Sequence, residues 1–204
     1  VFEQMYLLRR VEVWARNRLK RVVKTPKLQF IDAGLLATLL DLGSAEVQQD
    51  RSRFGNVLET FAYSELLKHI TTAADDYRVL YCILAKVTDM SFRPKGEILF
   101  NDYKDFSVTS FLRNDTVNIE IKHYYRDVDL FEVDVVIENA AGQLIGVEIK
   151  ASATVKAGDL HGLKKLASMA GGQFKMGVLL YDGAETLPLG DHLWAAPLST
   201  LWGQ

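Results

Sequence analysis

Residues 131–150 read FEVDVVIENAAGQLIGVEIK, and this stretch decides the fold. Positions 132–138 and 144–150 are rich in Val and Ile and are separated by the turn signal Ala141-Gly142, so they predict two strands joined as a hairpin. Side chains alternate between the faces of a strand, which puts Glu148 and Lys150 on one face and sends Val147 and Ile149 into a core. Counting back through the turn brings Asp134, from Glu132-Val133-Asp134, beside Glu148. Two carboxylates and a lysine with apolar residues behind them form a hard oxygen-ligand site suited to Mg2+ or Mn2+. Taken alone, such a set is more often a surface ion pair of little energetic worth.

Working outward, a helix is predicted over 158–169, with Leu160, Leu163 and Leu166 on one side and Gly171-Gly172 as its stop. A buried strand follows at 175–181, then a short one at 192–196. Upstream, 121–126 is a further strand candidate. Phe54, Val57, Leu58, Phe61, Ala62 and Leu66 recur at spacings of three and four, the stripe of a core-facing helix. Glu59 lies at the edge of that stripe and supplies a further carboxylate. Before it, 27–31 reads as a short strand, and Asp32 is placed to cap an apolar helix at 35–40. The order helix, three strands, helix, strand predicts an α/β fold with a mixed central sheet flanked by helices. Between the Glu59 helix and the Asp134 strand, residues 72–121 break this rhythm. Their apolar stretches at 79–87 and 98–100, and the turn signal Arg93-Pro94-Lys95-Gly96, join no motif, so the segment reads as an insertion.

The 204 residues, about half apolar and a quarter charged, suit one globular domain with a substantial core. No apolar run reaches the ~18 residues that span a bilayer, and no secretory signal opens the chain. Cys82 is the only cysteine, which excludes an internal disulfide framework and a cysteine-rich zinc site and fits a reducing cytoplasm. His69, His123, His161 and His192 are scattered without metal-ligand spacing. The net charge of −2 conceals an asymmetry. Residues 1–27 carry Arg9, Arg10, Arg16, Arg18, Lys20, Arg21, Lys24 and Lys27 against Glu3 and Glu12 alone. Within this block Arg16, Arg18, Lys20 and Arg21 are candidates for contacts to nucleic-acid phosphates, with Trp14 and Tyr6 available for stacking. The plainer reading of the block is a solvated surface, or one that meets an acidic neighbour.

A family resemblance joins these pieces. It is carried by the run from Lys27 through Phe30-Ile31-Asp32-Ala33-Gly34 to Leu36, by Gly55-Asn56-Val57-Leu58-Glu59 with Ser64-Glu65-Leu66, and by Glu132-Val133-Asp134 and Val147-Glu148-Ile149-Lys150. Trp14-Ala15-Arg16-Asn17-Arg18 and Trp194-Ala195-Ala196-Pro197-Leu198 also fit. Together they resemble the uncharacterised C-terminal domain of a group of bacterial and archaeal AAA-type ATPases, related to the PD-(D/E)xK, restriction-endonuclease-like superfamily. The resemblance covers nearly everything outside 72–121. It implies a nuclease-fold domain over 28–204, with 1–27 as the tail of a preceding winged-helix and P-loop ATPase part. The chain itself contains no Gly-x4-Gly-Lys-Ser/Thr. By resemblance Glu59, Asp134, Glu148 and Lys150 match the superfamily's acidic helix residue, metal-binding Asp, second carboxylate and lysine, with Asp134 and Glu148 holding Mg2+ or Mn2+. The implied activity is metal-dependent hydrolysis of nucleic-acid phosphodiesters. The alternative is a non-catalytic DNA- or protein-interaction domain that partners the ATPase.

Overall fold

The hairpin read from residues 131–150 lies in the middle of the sheet. In the computed structural model, which describes residues 3–17, 21, 25–73, 76–85 and 130–202, its strands are β4 (Leu130–Asn139) and β5 (Leu144–Lys150). They pair antiparallel from Val135 opposite Val147 to Glu138 opposite Leu144. The turn closes through Gly142, whose N–H donates to the Asn139 carbonyl at 2.9 Å. Asn139 Oδ1 accepts from Gln143 N–H at 2.8 Å. Gly142 has φ +75°, the left-handed region in which a side chain is strained, so glycine here suits the tight turn that sets the register of Val135 opposite Val147.

Six further strands complete the sheet: β1 (Leu8–Val13), β2 (Lys27–Phe30), β3 (Tyr77–Ala85), β6 (Phe174–Tyr181), β7 (Leu187–Gly190) and β8 (Leu193–Pro197). The order is β2-β1-β3-β4-β5-β6-β8-β7. β1 runs antiparallel to β2 and parallel to β3, while β6 runs parallel to both β5 and β8. The sheet is therefore mixed, as the sequence predicts. The helices are α1 (Ala33–Leu39), α2 (Ser44–Gln49), α3 (Gly55–Thr72) and α4 (His161–Ala170). Asp32 caps α1, accepting from Leu35 N–H at 2.7 Å. β5, α4 and β6 form a strand–helix–strand crossover, the connection that parallel neighbours require.

Two apolar clusters hold these layers. Leu163, Leu166 and Ala170 of α4 pack with Val133, Val136, Leu144 and Leu179. Leu58, Ala62 and Tyr63 of α3 pack with Val135, Ile137, Val147, Ile149 and Leu180. Strand residues that alternate between the clusters have both faces covered, which explains the near-continuous apolar runs of β5 and β6. Two hydrogen bonds pin the β2 segment to α3. Gln29 Nε2 donates to Thr60 Oγ1 at 2.8 Å, and Ser64 Oγ donates to the Ile31 carbonyl at 2.6 Å.

The structure departs from the sequence reading in its boundaries. Residues 8–13, expected within a basic tail, form β1 inside the sheet, because Leu8, Val11 and Val13 are buried while Arg9, Arg10 and Glu12 face outward. The excursion expected at 72–121 is displaced. The chain divides into one unit of Val1–Leu84 with Phe131–Gln204 and a second of Ala85–Leu130, since residues 77–85, read as part of the insertion, are the sheet strand β3. The strand candidates at 98–100 and 121–126 lie outside the described residues. α2, a helix with no buried residue, and β7, which contains Pro188 at the sheet edge, have no apolar periodicity to announce them.

α4 lies close on β4. A Cβ added to Gly162 would come within 2.4 Å of the Glu132 carbonyl oxygen, backbone that cannot swing aside. Gly162→Ala is expected to destabilise the domain by about 1–3 kcal/mol, read as a lower urea midpoint with an unchanged m-value.

Candidate functional site

The β4–β5 ladder changes character at Asp134. Its last paired residues are Val135 and Val147. Beyond them Ile149 N–H is bonded by a side chain, donating to Asp134 Oδ2 at 2.8 Å. The two-residue alternation of β4 slips at the same place, for Val133 belongs to the α4 cluster and Val135 to the α3 cluster. Asp134 thus takes over part of the role of a backbone acceptor, and its carboxylate is held against β5 near Glu148.

Glu148 is 7% exposed. Its Oε1 accepts from Lys150 Nζ at 2.7 Å, as two residues on one strand face can. Its Oε2 is buried without a hydrogen-bond partner. Burial is the main force on both carboxyls. It pushes Asp134 up to about 6, with the Glu59 charge adding to it and the Ile149 N–H bond, Lys150 and Lys27 opposing it. Glu148 is pushed up to about 7 by burial and then by the Asp134 charge, against the pull of Lys150. Burial alone would lower the Lys150 ammonium, but its bond to Glu148 outweighs this and holds it above its ordinary value.

The carboxylate from the α3 helix approaches from another side. Glu59 exerts its charge on Asp134, and it is ion-paired with Lys27 at the start of β2. Lys27 Nζ also lies 3.4 Å from Glu132 Oε1. Burial works against the Lys27 charge, yet Glu59 and Glu132 prevail and raise it. All four sequence-predicted residues therefore belong to one electrostatic cluster, which also contains Lys27 and Glu132. Lys27 was hidden because it reads as one more charge in a basic block. Its only local signal is its place at the head of a strand.

The donor set suits a divalent cation in part. Among the described residues no group of three or more His, Cys, Asp or Glu stands close enough to hold a metal ion. Asp134 and Glu148 can still supply two oxygens. Mg2+ is commonly held by one or two carboxylates, with waters and substrate phosphate completing its shell. The unpartnered Glu148 Oε2 is an oxygen that a cation would satisfy.

One member of the basic block, Arg21, is turned to the protein's own carboxylate. Arg21 donates to both oxygens of the buried Glu138, at 2.6 and 2.8 Å, and its guanidinium lies 5.8 Å from the Trp14 ring centre. Arg78 adds a third bond to Glu138 at 2.7 Å. Burial would raise the Glu138 carboxyl, but the two arginines hold it below its ordinary value. Arg21 is thus turned inward and is not presented to a phosphate backbone. Arg16 is exposed, and Arg18 and Lys20 lie outside the described residues.

Because the folded state holds protons on Asp134 and Glu148 more tightly than the unfolded chain does, the contribution of these two groups to stability is fullest below the ordinary carboxylate range. It is lost as pH rises from about 4 through the raised values of about 6 and about 7. Urea titrations at pH 5 and pH 8 should show the decline, and Glu148→Gln should flatten it, with a gain at pH 8 on the order of 1 kcal/mol.

Residues 108–201 match the model of a family described as a domain of unknown function (DUF4143). Residues 1–46 match a second domain of unknown function (DUF8612). No curated protein and no solved structure matches the chain. Asp134, Glu148 and Lys150 lie within the first matched region and Lys27 within the second, whereas Glu59 lies in neither.

Proposed function

We propose that the cluster around Asp134 and Glu148 is a divalent-metal site for hydrolysing nucleic-acid phosphodiesters, carried on a restriction-endonuclease-like core associated with a P-loop ATPase. One observation carries this reading. Glu148 presents a buried, unpartnered oxygen beside Asp134 while Lys150 binds its other oxygen at 2.7 Å. Burying two carboxylates together raises the energy of both in their charged forms. A bound cation offsets that cost. When bound, Mg2+ or Mn2+ supplies Lewis-acid activation of the scissile phosphate and of an attacking water.

The chain's own groups do the rest. Asp134 and Glu148 hold two oxygens in fixed positions, Asp134 through the Ile149 N–H and Glu148 through Lys150. The Lys150 side chain is 37% exposed, so its ammonium reaches both Glu148 and an incoming phosphate. There it stabilises negative charge that builds on the non-bridging oxygens as the ester bond breaks. The second reading, a non-catalytic domain that binds DNA or a protein partner of the ATPase, is favoured by the pairing of Glu59 with Lys27, which occupies a carboxylate otherwise free to serve as a ligand.

Incubation with plasmid and with single-stranded DNA or RNA in Mg2+ or Mn2+ should give cleavage. Asp134→Asn, Glu148→Gln and Lys150→Ala should each reduce it by about 100-fold or more, and cleavage that survives all three changes would sink the proposal. In parallel, Mn2+ should raise the melting temperature of the unmodified protein and leave that of Glu148→Gln nearly unmoved. Arg21→Ala should lower stability by about 1.5–3 kcal/mol, because it removes two of the bonds to the buried Glu138 and leaves it Arg78, a loss visible in urea melts without any nucleic acid.

A further inference from the structure

The cluster contains a cation of its own. Lys27 Nζ is bonded to Glu59 and stands 3.4 Å from Glu132 Oε1, and its charge is felt by Asp134. Its backbone is not free to withdraw. It opens β2, which pairs with β1 and is fastened to α3 by the Gln29–Thr60 bond, one residue from Glu59. Two-metal phosphodiesterases place their ions about 3.5–4 Å apart, with carboxylates gathered around both. Here one half of the acidic cluster, around Glu148, has a buried oxygen without a partner, and the other half, around Glu59 and Glu132, is already bridged by an ammonium.

We infer that Lys27 stands in the place of a second divalent ion, so that the site takes one metal ion, at Asp134 and Glu148. The inference rests on the metal-site reading above. The two ammonium groups divide the cluster: Lys27 is shared by Glu59 and Glu132, and Lys150 takes one oxygen of Glu148 and leaves the other without a partner. An ammonium is a compact point charge with three donors, able to bridge two carboxylates as an ion does but with half the charge and no Lewis acidity.

Isothermal titration of Mn2+ alone into the protein counts the ions directly. The unmodified chain should bind one equivalent, Lys27→Met should bind two, and Lys27→Met combined with Glu59→Gln should return to one. Two equivalents in the unmodified protein would overturn the inference without any variant. So would a folded Lys27→Met, with unchanged circular dichroism, that still binds one. Both outcomes would leave the metal-site reading intact, whereas no binding to the unmodified protein would remove that reading and the inference together. If Lys27→Met does not fold, Lys27→Gln takes its place, and a folded Lys27→Gln that binds one equivalent overturns the inference in the same way.

Discussion

Much of the molecule's polar chemistry depends on where a β ladder stops. Asp134 Oδ2 accepts the Ile149 N–H at 2.8 Å, at the point where the backbone pairing of β4 with β5 has ended. A buried N–H must find an acceptor, and here the acceptor is a carboxylate. That choice draws a negative charge into the sheet within reach of Glu148. Regular pairing would have satisfied the amide with a carbonyl. The slip in β4 that places Val133 and Val135 in different cores is the geometric counterpart of the same exchange.

A carboxylate held in that position imposes conditions on its neighbours. Glu59, Glu132 and Glu148 lie close enough to perturb Asp134 or one another. In a medium of low polarisability, such charges must be protonated, paired or coordinated. All three solutions operate here. Lys27 pairs Glu59 and Glu132, Lys150 pairs one oxygen of Glu148, and the proton affinities of Asp134 and Glu148 rise. What is left over is one oxygen of Glu148. The two lysines come from the ends of β2 and β5, elements that are far apart in sequence and fixed independently, so the balance is a property of the folded sheet and not of any one motif.

This explains which parts were legible in the sequence. Asp134, Glu148 and Lys150 sit on one hairpin, where alternation and a Gly142 turn suffice to bring them together. Glu59 could be placed by helical periodicity on α3, but the partner that neutralises it could not, because the Lys27–Glu59 contact spans 32 residues. β1 escaped notice since its pattern of Leu8, Val11 and Val13 is interrupted by Arg9-Arg10, and charge masked the strand. The same bias made Arg21 look like a phosphate ligand. Its true partner, Glu138, is 117 residues away and reads as an ordinary polar end to a strand. Charge composition reports how many cations a segment has, and only the fold reports which of them are already spent.

The distribution of exposure then limits how a polyanion can approach. Glu148 is nearly inaccessible, while the side chains of Lys150 and Glu132 are 37% and 49% exposed. The reachable rim of the cluster is therefore formed by one ammonium and one carboxylate. An unopposed Glu132 would repel a phosphate at that rim. Lys27, 3.4 Å from it and 26% exposed, offsets part of that charge. The same lysine that pairs with Glu59 thus also lowers the barrier at the entrance. This gives it a use in the proposed nuclease even at substrate distances where it makes no direct contact, because electrostatic attraction to Lys150 is then less offset by its neighbour.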